Sequence, residues 1–287
     1  MIETPQNDTF VASSTPGAAP LVPLAPSSHE VAKRVERQLD ELIDLLRSEE
    51  SAETPPPFTT PPGFLLSVVI PVYNEAETIK EVVHRVERLP VPKEIVLVDD
   101  GSTDGTRDIL RSMDRHRVIL KERNEGKGAA LRDGFAAATG TVVVVQDADL
   151  EYHPADILRL LPPLLEGEAD VVYGSRFLGE RVRDPSWLHR AGNAVLTRLS
   201  NWVTGLSLTD METCHKAFRR EVLDGLPIAQ NRFGFEPEVT ARLARRGCRF
   251  VEVPVDYQPR GYEEGKKIGW RDGLNAIYCI LRYGLWE

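Results

Sequence analysis

Cysteine is scarce in this chain, with three among 287 residues, and Cys214, Cys248 and Cys279 are widely spaced. Neither a CxxC pair nor a Cys/His ligand pattern occurs. That argues against a disulfide framework or a zinc site and predicts reduced thiols acting as small core filler in a reducing compartment. No run of about 18 apolar residues is present, so no transmembrane helix is predicted. The first residues, MIETPQNDTF, lack a basic region followed by an apolar one, so no secretory signal is expected. Basic residues are outnumbered, 35 Lys and Arg against 44 Asp and Glu, giving a net charge of -9. With a pI near 5.3 there is no field of cations to neutralise a phosphate backbone, so nucleic acid is not the expected partner. Glycine fingerprints are also missing. The GKG at Gly126 to Gly128 has neither the third glycine of GxGxxG nor the spacing of GxxxxGK[ST], which argues against a dehydrogenase-type dinucleotide site and a P-loop. No internal repeat is found.

What is present is soluble and globular in character, 41% hydrophobic and 28% charged, with length for one large domain or two small ones. Residues 1–28 are rich in Pro, Ser, Thr and Ala without periodicity and read as a disordered tail. Over 29–50, Val31, Val35, Leu39, Leu42 and Leu46 recur at helical spacing among charged residues, predicting an amphipathic helix. It either pairs with a copy of itself, giving a homo-oligomer, or packs on the following domain, the simpler choice. Residues 51–63, SAETPPPFTTPPG, form a proline-rich linker.

From residue 64 to 287 strands and helices alternate, which predicts an α/β domain with a mostly parallel sheet flanked by helices. Strands are expected at Leu65 to Val72, Glu94 to Val98, Val118 to Leu120, Val142 to Val145, Asp170 to Tyr173 and Phe250 to Val255. Helices are expected at Glu77 to Arg88, from Asp104 to Met113, from Asn124 to Ala138, from Pro154 to Leu165 and from Pro237 to Arg246. Residues 64–180 read as one half of this domain and 181–287 as a second. In the second half the alternation degrades and DMETCHKAFRR, Asp210 to Arg220, reads as irregular. That half is expected to cover the open edge and supply the pocket for a second substrate.

The chain is organised around TVVVVQDADLEY, Thr141 to Tyr152. Four consecutive valines suit a strand buried on both faces. It ends in Asp147 and Asp149, and open parallel sheets bind ligands beyond the carboxyl ends of their strands. Carboxylates this close repel unless a proton or cation intervenes, and hard oxygen ligands suit Mg²⁺ or Mn²⁺ that also holds a diphosphate. Two other strand ends are acidic. Pro71-Val-Tyr73-Asn-Glu75 offers a ring to stack on a base and a carboxylate to accept from it, or a simple turn with a capping Asn. Asp99-Asp100 after Val98 offers an acceptor for ribose or base, or a turn cap.

Lys127 opens a helix and either approaches a phosphate or stays solvated in a tight turn, the plainer account. Arg176 follows a strand and offers a bidentate phosphate clamp, with a surface salt bridge as the alternative. RGYEEGKK, Arg260 to Lys267, reads as a loop able to close over a diphosphate, or as an exposed connection. Trp270 to Trp286 reads as an interfacial, membrane-facing helix or one docked on the core, and core docking is the simpler reading.

Taken in order, SVVIPVYNE, IVLVDDGSTDGT, QDADLEYHP, GSRF and RGYEEGKKIGW closely resemble the family 2 glycosyltransferases of GT-A (Rossmann-like) fold, in particular the dolichyl- or polyprenyl-phosphate mannose synthase branch. The resemblance covers about Leu65 to Tyr283. It implies that Pro71, Tyr73, Glu75, Val98 and Asp100 hold the nucleotide of a sugar donor, that Asp147, Ala148 and Asp149 form the metal and diphosphate site with Mg²⁺ or Mn²⁺, and that Arg176, Arg260 and Lys266 meet phosphates. Asp149, Arg176 and Lys266 are then the residues acting on the leaving group.

The branch carries an SGFR-like stretch where this chain has ETCHKAFR, Glu212 to Arg219, so the donor stands open between GDP-mannose, UDP-glucose and UDP-GlcNAc. Arg190, Glu212 and Arg219 are the acceptor candidates. The implied activity is inverting hexosyl transfer to a polyprenyl phosphate by a cytoplasmic protein, peripheral at the cytoplasmic face of the membrane. A hydroxyl acceptor would instead require a carboxylate base, with Glu212 and Glu236 the first suspects. A reading from another class is a sugar-nucleotide-binding regulator without catalysis.

Overall fold

The computed structural model describes residues 28–47, 58–178, 187–259 and 270–286. The expected tail, most of the linker, and the loop carrying Arg260 and Lys266 lie outside the described residues. The chain divides into two units, residues 1–37 and 38–287. The first helix, α1 (Ser28–Arg47), runs through that boundary.

Within the second unit, the residues of α1 from Gln38 onward bury Leu42, Ile43 and Leu46 in the domain core. Arg47 pairs with Asp156 and, at 2.7 Å, with Asp256, and Arg159 reaches Asp40 at 2.8 Å. Of the two expectations for this helix, packing on the domain is the one seen for these residues. Their apolar face is engaged intramolecularly.

Among the described residues the sheet has seven strands: β1 (Leu66–Val72), β2 (Lys93–Asp99), β3 (Arg117–Leu120), β4 (Val142–Val145), β5 (Val171–Ser175), β6 (Lys216–Arg219) and β7 (Phe250–Pro254). Their order is β3-β2-β1-β4-β6-β5-β7. All neighbours are parallel except β6, which runs antiparallel to both β4 and β5. Every residue of β4 is buried, as a strand covered on both faces by helices requires. The covering helices are α2 (Ile79–Glu87), α3 (Thr106–Arg111), α4 (Lys127–Ala137), α5 (Ile157–Leu165), α6 (Trp187–Thr204), the single turn α7 (Arg220–Leu223), α8 (Phe235–Arg245) and α9 (Trp270–Leu281). Helix α2 shows the logic: Ile79, Val82, Val83 and Val86, at helical spacing, are its buried stripe.

The missed strand is β6, inside the stretch expected to be irregular. Its four residues, Lys-Ala-Phe-Arg, begin and end in cations and show no alternation long enough to read. Its pairing is decided by the slot between β4 and β5, where Ala217 and Phe218 are fully buried. This strand and β7 bring the second half of the chain into the same sheet, β6 in its interior and β7 as an edge strand.

Candidate active site

Register places the acidic tips together. Val72 of β1 pairs with Asp99 of β2, and Val69 pairs with Val145 of β4, so residues following each strand emerge at one edge. Because β6 is antiparallel between β4 and β5, its beginning lies at that edge too, with Lys216 opposite Tyr173. The carboxyl end of β5 delivers Ser175 and Arg176 to the same side.

Asp147 and Asp149 sit just past β4, half-buried, around the buried Ala148. The loop turns sharply at Leu150, which has a φ of 61°. Thr78, at the entry to α2, ties it down by donating to the Ala148 carbonyl and to the Glu75 carboxylate, both at 2.7 Å. The Glu151 amide donates to Asp149 at 3.1 Å.

Against Asp147 lies a residue whose plainer sequence reading is solvation. Lys127 Nζ approaches Asp147 Oδ1 at 2.8 Å and Oδ2 at 3.1 Å, and Glu236 Oε1 at 3.6 Å. Burial alone would lower this ammonium's pKa, but the carboxylates of Asp147 and Glu236 and the neighbouring Cys214 outweigh it, and the group is held well above its ordinary value. A cation in the first turn opposes the helix dipole, so only tertiary partners explain it. The glycines around it have a second purpose. A Cβ on Gly126 would lie 2.3 Å from the Asn231 carbonyl oxygen, and one on Gly128 2.2 Å from that of Gln230. The loop is pressed against the 230–232 segment, and Ala129 donates to the Asn231 carbonyl at 3.1 Å. A lysine bracketed by glycines, placed where the dipole disfavours a cation, was the available signal.

Asp100 is almost fully buried and accepts from the Gly126 amide at 2.6 Å, from the Glu125 amide at 3.1 Å and from Lys121 at 3.2 Å. Asp99 accepts from the Ser102 amide at 3.1 Å and from Arg107 at 2.8 Å. The turn-supporting alternative for this pair is thus present in the structure, and Asp100 shapes the loop that delivers Lys127. Pro71 and Tyr73 are half-buried at the end of β1, and Val98 is buried in β2 opposite Pro71.

Arg176 is half-buried and paired. Its guanidinium donates to the fully buried Asp210 through Nε and Nη2, each at 2.7 Å, and lies over the Tyr257 ring at 5.3 Å. Asp210 is itself fixed by Asn193 at 3.2 Å, while its own amide donates to Glu252 at 2.9 Å. Beyond it come Glu212, Cys214, His215 and Lys216. His215 hydrogen-bonds to Gln146 at 3.0 Å, and burial pushes its pKa down to about 3. Lys216 donates to the Met211 carbonyl at 2.8 Å and to that of Thr213, beneath the Tyr173 ring. Burial lowers this lysine to about 8, and burial together with Glu236 raises Glu212 to about 8. Cys214 is a buried free thiol, as its reading as core filler expects.

One acceptor candidate falls elsewhere. Arg219 ends β6 opposite Val142, the start of β4, and donates to the Leu164 carbonyl at 2.9 Å. It is at the far end of the sheet from Asp147, because β6 runs backwards. Arg190 is exposed near the start of α6.

The match to a family model, Glycosyl transferase family 2, spans residues 67–226, from β1 through the sheet and past β6. This chain belongs to that family. It is a glycosyltransferase of GT-A fold. The family 2 chain is also 33% identical, over 76% of its length and 67% of the relative's, to an undecaprenyl-phosphate 4-deoxy-4-formamido-L-arabinose transferase of Aeromonas hydrophila subsp. hydrophila. Among solved structures it is similar to glucosyl-3-phosphoglycerate synthase from Mycobacterium tuberculosis. The complex with Mn²⁺, UDP and glucosyl-3-phosphoglycerate superposes with a TM-score of 0.59 at 26% identity, covering 77% of this chain and 80% of that one. The complex with Mg²⁺ and UDP gives 0.58 at 26% identity, over 86% and 83%.

Proposed function

We propose that this glycosyltransferase moves a hexose from a nucleoside diphosphate sugar to a polyprenyl phosphate at a membrane surface, with inversion at the anomeric carbon. The observation that carries the reading is the cation-attracting tip of β4, where Asp147 already draws Lys127 to 2.8 Å at the edge shared by the other strand ends. The donor set suits a divalent ion. Among the described residues no group of three or more His, Cys, Asp or Glu forms a cage, and a pair of carboxylates completed by substrate phosphates is the usual setting for Mg²⁺. Asp147 and Asp149 would hold Mg²⁺ or Mn²⁺, which supplies positive charge to a diphosphate when bound. The Mycobacterium tuberculosis enzyme is seen in complexes with Mn²⁺ or Mg²⁺ together with UDP, which supports the same assignment.

The rest follows from the chain's own groups. The nucleoside lies over Pro71, Tyr73 and Val98, with Glu75 as an acceptor. A lipid monophosphate has its second pKa near ~6 and is largely a dianion at neutral pH, so its oxygen attacks the anomeric carbon without a general base. The bond from that carbon to the diphosphate oxygen breaks with its electron pair leaving on the nucleoside diphosphate. Arg176, oriented by Asp210, and on the sequence reading Arg260 and Lys266, stabilise the charge that gathers there.

The membrane face follows from α6 and α9. Val195 and Trp202 on α6, and Leu274, Tyr278, Leu285 and Trp286 along and after α9, are exposed, with Arg198 and Arg282 beside them. The opposite side of α9 docks Ala276, Cys279 and Ile280, and Tyr283 just after it is buried too. Aromatic and aliphatic side chains with arginines suit the headgroup boundary of the cytoplasmic leaflet. No described helix is long and apolar enough to cross a membrane.

The test is incubation with UDP-glucose, UDP-GlcNAc or GDP-mannose and Mn²⁺, with and without a polyprenyl phosphate, followed by mass spectrometry of organic extracts. Lipid-linked sugar is expected, and its absence with every donor would reject the reading. A second reading, a small hydroxyl acceptor bearing a phosphate, is favoured by the glucosyl-3-phosphoglycerate named for the Mycobacterium tuberculosis enzyme. Its mark is labelled sugar appearing only in the water-soluble fraction.

A further inference from the structure

Among the described residues, two carboxyl oxygens have no hydrogen-bond partner in the protein: Oε2 of Glu236 and Oε1 of Glu212, both inaccessible. A buried oxygen without a partner is costly, and more so when charged, so such groups point to a ligand. Glu236, in the first turn of α8, is only 5% exposed. Its other oxygen faces Lys127 at 3.6 Å, and the same ammonium touches Asp147 at 2.8 Å. One cation therefore joins Glu236 to the diphosphate end of the site. Glu212 arrives from the loop before β6, held by Lys216 through the carbonyls of its two neighbours, Met211 and Thr213.

Neither carboxyl is engaged by Arg176, which is paired with Asp210. A group that satisfies both carboxyl oxygens must offer more than one hydrogen-bond donor. The several hydroxyls of a hexose do this. We propose that Glu212 and Glu236 bind the hydroxyls of the donor sugar and set which sugar is accepted, a role resting on the donor reading above. The sugar then lies beyond Lys127, with its anomeric carbon toward Asp147 and Asp149.

Calorimetry on the full chain with Mn²⁺ tests this, comparing wild type, Glu236→Gln and Glu212→Gln. UDP and GDP are titrated as the nucleotide probes and UDP-glucose and GDP-mannose as the sugar probes. The variants are expected to bind the nucleoside diphosphate within about twofold of wild type and the nucleotide sugar about 10- to 100-fold more weakly, the scale of one hydrogen bond to a charged group. Equal loss for both, or no loss for either, overturns the assignment. If a variant misfolds, wild type is titrated with single-deoxy analogues of the sugar. One missing hydroxyl must then reproduce the loss, and uniform affinity across the analogues overturns the proposal. If wild type binds neither nucleotide, the donor reading fails first and this one with it.

Discussion

Arg176 and Asp210 form a two-pronged pair across 34 residues of sequence, Nε and Nη2 each 2.7 Å from a carboxylate oxygen. The pair joins the end of β5 to the loop before β6, and it converts an arginine read as a phosphate clamp into one whose direction is fixed before any substrate arrives. Asp210 is fully buried. Removing it leaves a largely buried guanidinium without its anion, which typically costs about 3 to 5 kcal/mol. Asp210→Ala is expected to lower unfolding free energy by that amount in urea titrations, while Arg176→Lys, which cannot form the fork, loses turnover with a smaller stability change.

Asp149→Asn and Asp147→Asn are expected to retain the fold and lower turnover by on the order of 10² to 10³, the scale of removing one preorganised electrostatic group. Release of nucleoside diphosphate, read alongside circular dichroism, checks this. Near-normal rates in a folded variant would reject the metal role.

Gly128→Ala adds a methyl group 2.2 Å from the Gln230 carbonyl oxygen in a helix that otherwise favours alanine. The clash is with backbone, so the loop must retreat. A loss of about 1 to 3 kcal/mol, typical of overpacking, is expected in place of the small gain that helix propensity alone predicts. Donor binding should fall as well, because the same movement shifts Lys127.

Trp202→Ala combined with Trp286→Ala removes two exposed indoles, at 76% and 72% accessibility. Melting temperature should stay within a degree or two. Co-sedimentation with vesicles containing anionic lipid should drop by at least about 10-fold, since each buried aromatic contributes roughly 1.5 to 3 kcal/mol. Unchanged vesicle binding would place the membrane face elsewhere.

His215 and His153 are pushed down by burial, to about 3 and about 4 respectively, the latter also by Arg85 and Arg47. Below the unfolded value near ~6.5 the unfolded chain binds protons that these buried rings refuse. Their contribution is complete above that pH and is lost as pH falls toward 4. Asp156 and Glu212, raised by burial to about 6 and about 8, act in the opposite direction. The difference between wild type and His215→Gln isolates one ring. Wild-type stability should fall relative to the variant by up to about 1.4 kcal/mol per pH unit between pH ~6.5 and ~5, measured by urea unfolding. Parallel curves would show that His215 is protonated in the fold.

The sequence by itself determined the alternation of strands and helices, the buried valines of β4 and the acidic edge beyond it. These depend on local rules, because a strand covered on both faces must be apolar throughout and a helix must repeat its apolar residues every three or four positions. Only the tertiary structure decided that Lys127 belongs to Asp147, that β6 runs backwards and carries Arg219 away, and that Arg176 faces Asp210. Each of those depends on which distant segment fills a space, and a charge in a short stretch carries no mark of the partner that burial will assign it.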